Sequence, residues 1–209
     1  IALGSSGLSL LELVRAYSVF AHQGYRMEPI FVTKVVDRHG NILEENNPEG
    51  ESVVSKETAF IITNLLQGVV KEGTGRKVRS LNRPVAGKTG TTNNLNDAWF
   101  LGYTPRYATG VWVGFDNEKP LGKKETGARA AIPIWLSFMK KILSDRPIRV
   151  FQVPDGIVFA KIDTETGLLA IPESKKTTFE CFKEGSVPTE YTKDPGLMTE
   201  PEQFFKSDM

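Results

Sequence analysis

Apolar residues at helical spacing mark two segments of the chain. Ala59, Ile62, Leu65, Leu66 and Val69 recur at three and four after Ser55, which can cap a helix that ends at Gly73-Thr74-Gly75. Trp135, Phe138, Met139 and Ile142 line one face of a second segment, Ala130 to Leu143, where Pro133 is tolerable because it falls in the first turn. That stripe reads as the core side of a helix lying on a sheet. A third helix opens at Leu8-Ser9-Leu10-Leu11-Glu12-Leu13, with Ser9 as N-cap, Glu12 as its capping-box partner and Leu8 and Leu13 as a staple. It should run to about Gln23, with Gly24 as a left-handed stop.

Strand patterns fill the intervals. Ile30 to Val36 is alternating or continuously apolar, Asp37 to Gly40 is turn chemistry, and Asn41-Ile42-Leu43 can return as a short strand. His39 is therefore expected in an exposed turn. Asn46 to Gly50 reads as a polar loop. Three further strands are predicted at Val85 to Thr91, Ala98 to Tyr103 and Tyr107 to Phe115, and their short connections imply an antiparallel sheet. Past Asp145-Arg146-Pro147 the pattern changes, and Gly156 to Ile162 with Leu168 to Ile171 form a predicted hairpin. The expected organisation is a main domain over 1–146, a small β-rich appendage over 147–192 and a loosely held tail over 193–209.

Composition narrows the function classes. The 209 residues suffice for one domain with a core and an appendage. Lys and Arg number 26 against 25 Asp and Glu, with no basic stripe, so a nucleic-acid partner is not expected. Cys181 is the single cysteine, and with only His22 and His39 beside it no metal site and no cofactor is expected. No run approaches the ~20 apolar residues that cross a bilayer. The chain opens on Ile1 without a methionine, which suggests the C-terminal part of something longer, with any anchor in the preceding part.

The chemistry concentrates in Arg83 to Tyr103, RPVAGKTGTTNNLNDAWFLGY. Gly87-Lys88-Thr89 imitates the end of a phosphate loop, but Asn82 stands where that loop needs glycine. Pro84 also removes an N–H, and Asn93 to Asp97 is a turn rather than a helix start. On an edge strand the stretch makes different sense. Free backbone groups can receive an extended peptide, Gly90 permits close approach, and Lys88 with nearby hydroxyls offers charge and donors for a carboxylate. A free N–H beside them can hold an oxyanion. On Lys-Thr-Gly alone, a solvated strand lysine beside β-forming threonines is the better explanation.

The wider stretch decides. Gly73-Thr74-Gly75, Arg83 to Asn93, Asp97-Ala98-Trp99-Phe100 and Gly102-Tyr103-Thr104-Pro105 together resemble the transpeptidase domain of class A penicillin-binding proteins. Ala2 to Ser6, Leu11-Glu12-Leu13, Ala16-Tyr17 and Phe20-Ala21 match the segment before that strand, and the resemblance runs from residue 2 to about 145. A weaker match to the family's C-terminal region lies in Phe182, Glu184-Gly185 and Pro188-Thr189.

The resemblance implies an α+β fold of the penicillin-binding and serine β-lactamase type, an antiparallel sheet flanked by helices with its N-terminal part missing here. It implies a serine D,D-transpeptidase that cross-links peptidoglycan stem peptides and is acylated by β-lactams. The parent would carry a glycosyltransferase domain and sit anchored at the outer face of the cytoplasmic membrane. By position, Lys88 would set the positive potential and assist proton movement, and Thr91 N–H would complete the oxyanion hole. Thr89, Gly90, Thr91 and Thr92 would bind the substrate, while Asp97 and Trp99 support the cleft wall.

The family's nucleophilic serine and Ser-x-Asn motif precede this strand. Ser137-Phe138-Met139-Lys140 and Ser80-Leu81-Asn82 imitate both. The first lies in mid-helix downstream of the strand, and Asn82 is six residues from Lys88, ~20 Å on an extended chain. The chain is thus expected to hold one wall of the site and to be inactive without the preceding part. Its exposed sheet edge invites pairing with that part or with a second copy. Two rival readings are a non-catalytic peptidoglycan-binding or scaffold module using the same groove, and a soluble carboxypeptidase or β-lactamase of the same fold class.

Overall fold

The computed structural model describes residues 7–193. The chain divides into two compact units, 1–154 and 155–209. The residues Ala2 to Ser6 and the tail from 194 onward lie outside the described part.

In the first unit, helix α1 spans Leu10–Ala21, and its start is the capping box expected from the sequence. Ser9 Oγ accepts from Glu12 N at 3.3 Å, while Ser9 N and Oγ both donate to Glu12 Oε2 at 2.7 Å. Those bonds hold the Glu12 carboxyl below the usual carboxylate range. Replacing Ser9 by alanine is expected to cost about 1 kcal/mol in thermal unfolding, and Ser9→Thr much less. The chain leaves the helix through Gln23 and Gly24, both at positive φ.

The next segment differs from its expected pairing. Strand β1 (Tyr25–Met27) pairs with β4 (Gly50–Ser52), and β2 (Lys34–Val36) with β3 (Ile42–Glu45). The strand expected from Ile30 is confined to its last three residues, with Phe31 83% exposed. Gly50, read as loop, lies opposite Met27, and Arg26 and Glu51 form an ion pair across the rungs. His39 lies in the turn, where Asp37 Oδ1 accepts from its N–H at 2.7 Å.

Helix α2 (Lys56–Lys71) is capped by Ser55 and followed by a 3-10 helix at Arg76–Leu81. Strands β5 (Ala86–Thr91), β6 (Ala98–Tyr103) and β7 (Ala108–Val113) form an antiparallel sheet in that order, close to the expected boundaries. A π-helical turn at Gly127–Ala131 leads into α3 (Ile132–Leu143), with Pro133 in its opening turn.

The helices take opposite faces of the sheet. Tyr103 and Phe100 are three apart on β6 and point to opposite sides. Tyr103 meets the ring of Tyr17 in α1 edge-on at 6.4 Å and bonds Thr63 in α2 at 2.9 Å. Thr63 spends its one proton on the Ala59 carbonyl, so Tyr103 donates and Thr63 accepts. Burial pushes the Tyr103 phenol well up. Phe100 instead meets Trp135 of α3 edge-on at 5.2 Å. The core on that side joins Val70, Val78, Leu81, Val85, Phe100, Ile132, Trp135, Met139 and Leu143.

Phe138, expected on the buried stripe, is 50% exposed, because the contact line runs through Ile132, Trp135, Met139 and Leu143. Residues 147–154, grouped with the appendage in the sequence reading, fall with the first unit, where Phe151 packs edge-on against Tyr103 at 5.7 Å. Among the described residues no helix is long and apolar enough to cross a membrane.

The second unit holds β8 (Ile157–Asp163) paired with β9 (Thr177–Lys183). The partner expected at Leu168–Ile171 contributes only a single bridge, Leu169 to Ile162. The Asp163 carboxylate closes the turn after β8 by accepting from Glu165 N at 2.8 Å, and the returning segment touches β8 briefly, with Asp163 N donating to the Leu168 carbonyl and Ala170 N to the Lys161 carbonyl, both at 2.9 Å. Cys181 is buried on β9, and burial raises its thiol pKa.

Candidate active site

Strand β5 is an edge strand, and its register decides what the edge presents. The Thr92 N–H donates to the Asp97 carbonyl at 3.2 Å, so that pair is hydrogen-bonded. Counting back by twos along the unbroken register, Gly90 with Trp99, Lys88 with Leu101 and Ala86 with Tyr103 turn their amides toward β6. The intervening Gly87, Thr89 and Thr91 direct their N–H and C=O groups to the open edge.

The side chains gather at the same edge. Lys88 is exposed, and its Nζ donates to the outward-facing Thr89 carbonyl at 2.9 Å. Thr89 Oγ1 lies 2.7 Å from Thr74 Oγ1, and Thr91 Oγ1 accepts from Gly127 N at 3.2 Å. Since an N–H occupies a lone pair of the Thr91 hydroxyl, its own proton stays available to a ligand. Lys88, Thr89 and Thr91 are therefore together. Thr92 is not part of that group: its hydroxyl accepts from Asn96 N at 3.1 Å and Asp97 N at 2.9 Å and closes the β5–β6 turn. Gly90 faces β6 with its amide and stays half-buried beneath the π-helical turn.

The turn at Gly127 fits only without a side chain. A Cβ there would lie 2.2 Å from the Trp99 carbonyl oxygen and 2.7 Å from that of Gly90, both backbone atoms that cannot swing aside. Behind the strand end, Trp112 Nε1 donates to Asp97 Oδ1 at 2.8 Å, and the Trp99 and Trp112 rings pack at 6.0 Å. Asp97 and Trp99 thus brace the turn that follows the edge.

Two contributors escaped the sequence reading. Thr74 lies in a stretch that ends a helix and shares in the family resemblance but has no assigned role there, and Gly127 carries no signal, because their partners lie 15 and 36 residues away in the chain. The imitated motifs stay apart from the edge. Ser137 is exposed on α3, Ser80 Oγ donates to the Lys77 carbonyl at 3.1 Å, and Asn82 ends the 3-10 helix at φ 52°. No serine hydroxyl among the described residues bonds Lys88.

A cavity of about 560 Å³ lies elsewhere, lined by Phe20, Lys56, Phe60, Pro105, Arg149 and Phe151. It adjoins the Tyr103 end of β6, whereas Thr91 stands about 17 Å away at the other end of β5. The Lys88 edge is an open ledge away from that cavity.

The penicillin binding protein transpeptidase domain matches residues 1–140, and the penicillin-binding protein 1A C-terminal domain matches residues 153–195. Penicillin-binding protein 1A of Aquifex aeolicus is 44% identical over 170 residues, covering 81% of this chain and 23% of that protein. The Pseudomonas aeruginosa protein of the same name is 34% identical, covering 90% of this chain and 29% of its own length. The chain thus spans about a quarter of the curated relatives it matches. The crystal structure of penicillin-binding protein 1A from Haemophilus influenzae superposes with a TM-score of 0.85 at 32% identity, covering 92% of this chain and 34% of the other. Penicillin-binding protein A from M. tuberculosis, solved as an imipenem acyl-enzyme complex, shares the fold at a TM-score of 0.56 and 22% identity. With the domain matched over residues 1–140 and an α+β fold in common, this chain belongs to the penicillin-binding protein transpeptidase family.

Proposed function

We propose that this chain supplies the Lys-Thr-Gly wall of a serine D,D-transpeptidase that cross-links peptidoglycan stem peptides and is acylated by β-lactams. The observation that carries the reading is the edge itself: outward amides at Thr89 and Thr91 beside an exposed Lys88. An extended stem peptide adds to β5 as a further strand, and its terminal carboxylate accepts hydrogen bonds from the Thr89 and Thr91 hydroxyls. The serine Oγ, from outside this chain, attacks the peptide carbonyl and makes the Oγ–C bond. The carbonyl electron pair moves to oxygen, and the Thr91 N–H donates a hydrogen bond to that oxyanion. Collapse breaks the C–N bond, and the terminal D-residue leaves as a free amine whose nitrogen has gained the proton that the serine hydroxyl gave up on attack. Lys88 keeps the ledge positive for the anion and adjusts proton movement during the transfer.

In this reading the parent works at the outer face of the cytoplasmic membrane, held by a segment that precedes the chain, with a glycosyltransferase domain there. The outer edge of β7 would pair with that preceding part, or with a second copy when the part is absent.

Labelling with a fluorescent penicillin on a denaturing gel tests the proposal. The expected result is no covalent band from the chain alone and a band once the preceding part is joined to it. A band mapping to Ser137 would overturn the assignment of the nucleophile. No band from the joined protein, with retained peptidoglycan binding, would favour a non-catalytic scaffold.

A further inference from the structure

We infer that Thr74 is a positioning residue for carboxylate recognition, acting through the hydroxyl of Thr89; the inference rests on the function proposed above. The Gly73-Thr74-Gly75 turn is fixed by its backbone. Gly73 N and Gly75 N both donate to the Val69 carbonyl, at 3.0 and 3.1 Å, and Arg76 N donates to the Gly73 carbonyl at 3.3 Å. This folds the turn back on the last turn of α2 and leaves Thr74 in front of the edge strand. Its Oγ1 meets Thr89 Oγ1 at 2.7 Å, a full-strength O–H···O distance.

The proton inventory gives this contact a direction once a ligand arrives. Each threonine hydroxyl has one proton and two lone pairs. A carboxylate accepts only, so it draws the Thr89 proton to itself. Thr89 can then keep its bond to Thr74 only by accepting, which makes Thr74 the donor. The order becomes Thr74 to Thr89 to carboxylate, and each bond polarises the next. Thr91 is prepared differently, since the Gly127 N–H already occupies one of its lone pairs. Both hydroxyls of the edge are thereby backed by a donor from a separate element, and both are set to give their protons outward.

The bond also fixes a rotamer. Thr89 is half-buried and Thr74 exposed, so without Thr74 the Thr89 hydroxyl can turn to water or to a nearby carbonyl. Ligands with a carboxylate should feel that loss, and ligands without one should not.

The test uses the full-length protein carrying Thr74→Val, Thr74→Ser, Thr89→Val and the Thr74→Val/Thr89→Val pair, with benzylpenicillin and its methyl ester as probes. Thr74→Val is expected to lower the second-order acylation rate by benzylpenicillin roughly tenfold, mainly through weaker initial binding. Thr74→Ser should restore it, and the methyl ester, slow with every variant, should give a ratio near one. The double variant should be no slower than Thr89→Val alone. An unchanged rate in Thr74→Val, equal losses for acid and ester, or additive losses in the double variant would each overturn the inference. Failure of the unsubstituted protein to acylate would instead remove the proposed function on which it rests.

Discussion

Replacing Trp135 by alanine should lower the unfolding free energy of the first unit by about 3–5 kcal/mol, read by far-UV circular dichroism in a urea titration. Trp135 is fully buried at the centre of the contact line between α3 and the sheet. Its ring meets Phe100 edge-on at 5.2 Å, and its Nε1 donates to the Thr109 carbonyl at 3.0 Å. Alanine would leave a large cavity and remove the partner of that carbonyl, two losses that fall on one site. Trp135→Phe keeps most of the volume and loses the donor, so it should cost distinctly less. A loss below about 1 kcal/mol for the alanine variant would mean that α3 is not seated on the sheet as described. The consequence reaches the ledge, because the turn that opens α3 also presents the Gly127 N–H to Thr91.

The sequence spoke clearly where a local rule had only one outcome. Ser9 and Glu12 stand at capping-box spacing, and the reciprocal bonds are there. The sheet strands were legible because apolar and β-branched residues run between short turns, so β5, β6 and β7 fall close to their expected bounds. Periodicity could not say which apolar residues find a partner. Phe138 fits the helical stripe as well as Leu143 does, yet the sheet contacts the line through Leu143. Strand β4, Gly-Glu-Ser, has no strand-like composition, and it forms because Tyr25–Met27 lies opposite it. In the second unit Leu168–Ile171 was the nearer apolar run, but Thr177–Lys183 supplies seven consecutive rungs to β8. A longer ladder outweighs a shorter loop when the added closure entropy grows only slowly with loop length.

The ledge divides in the same way. Lys88, Thr89, Gly90 and Thr91 are neighbours in the chain, so their grouping on one strand could be read directly. Which amides face outward could not be read. That depends on the pairing of Thr92 with Asp97, a matter of register. The supports from Thr74 and Gly127 depend on tertiary contacts that no local pattern records.

Substitution of Lys88 is expected to be the most damaging change to acylation, and the least damaging to the fold. Its side chain is exposed, with a single bond to a neighbouring carbonyl, so Lys88→Ala should leave stability within about 0.5 kcal/mol. In the full-length protein the same change should slow acylation by benzylpenicillin by roughly 10²–10⁴, the range for losing a group that moves a proton or stabilises charge in the transition state. Lys88→Arg separates the two roles. Arginine keeps the positive potential but does not give up its proton, and its planar fork fits the ledge differently from a compact ammonium. If potential alone matters, the arginine variant should recover much of the rate. If proton movement matters as well, initial binding should recover while the acylation step stays slow. Near-normal acylation by Lys88→Ala would remove Lys88 from the machinery and return it to the status of a solvated strand lysine. The outward amides of Thr89 and Thr91 would then be the part of the ledge still to be tested, through peptide addition to the β5 edge.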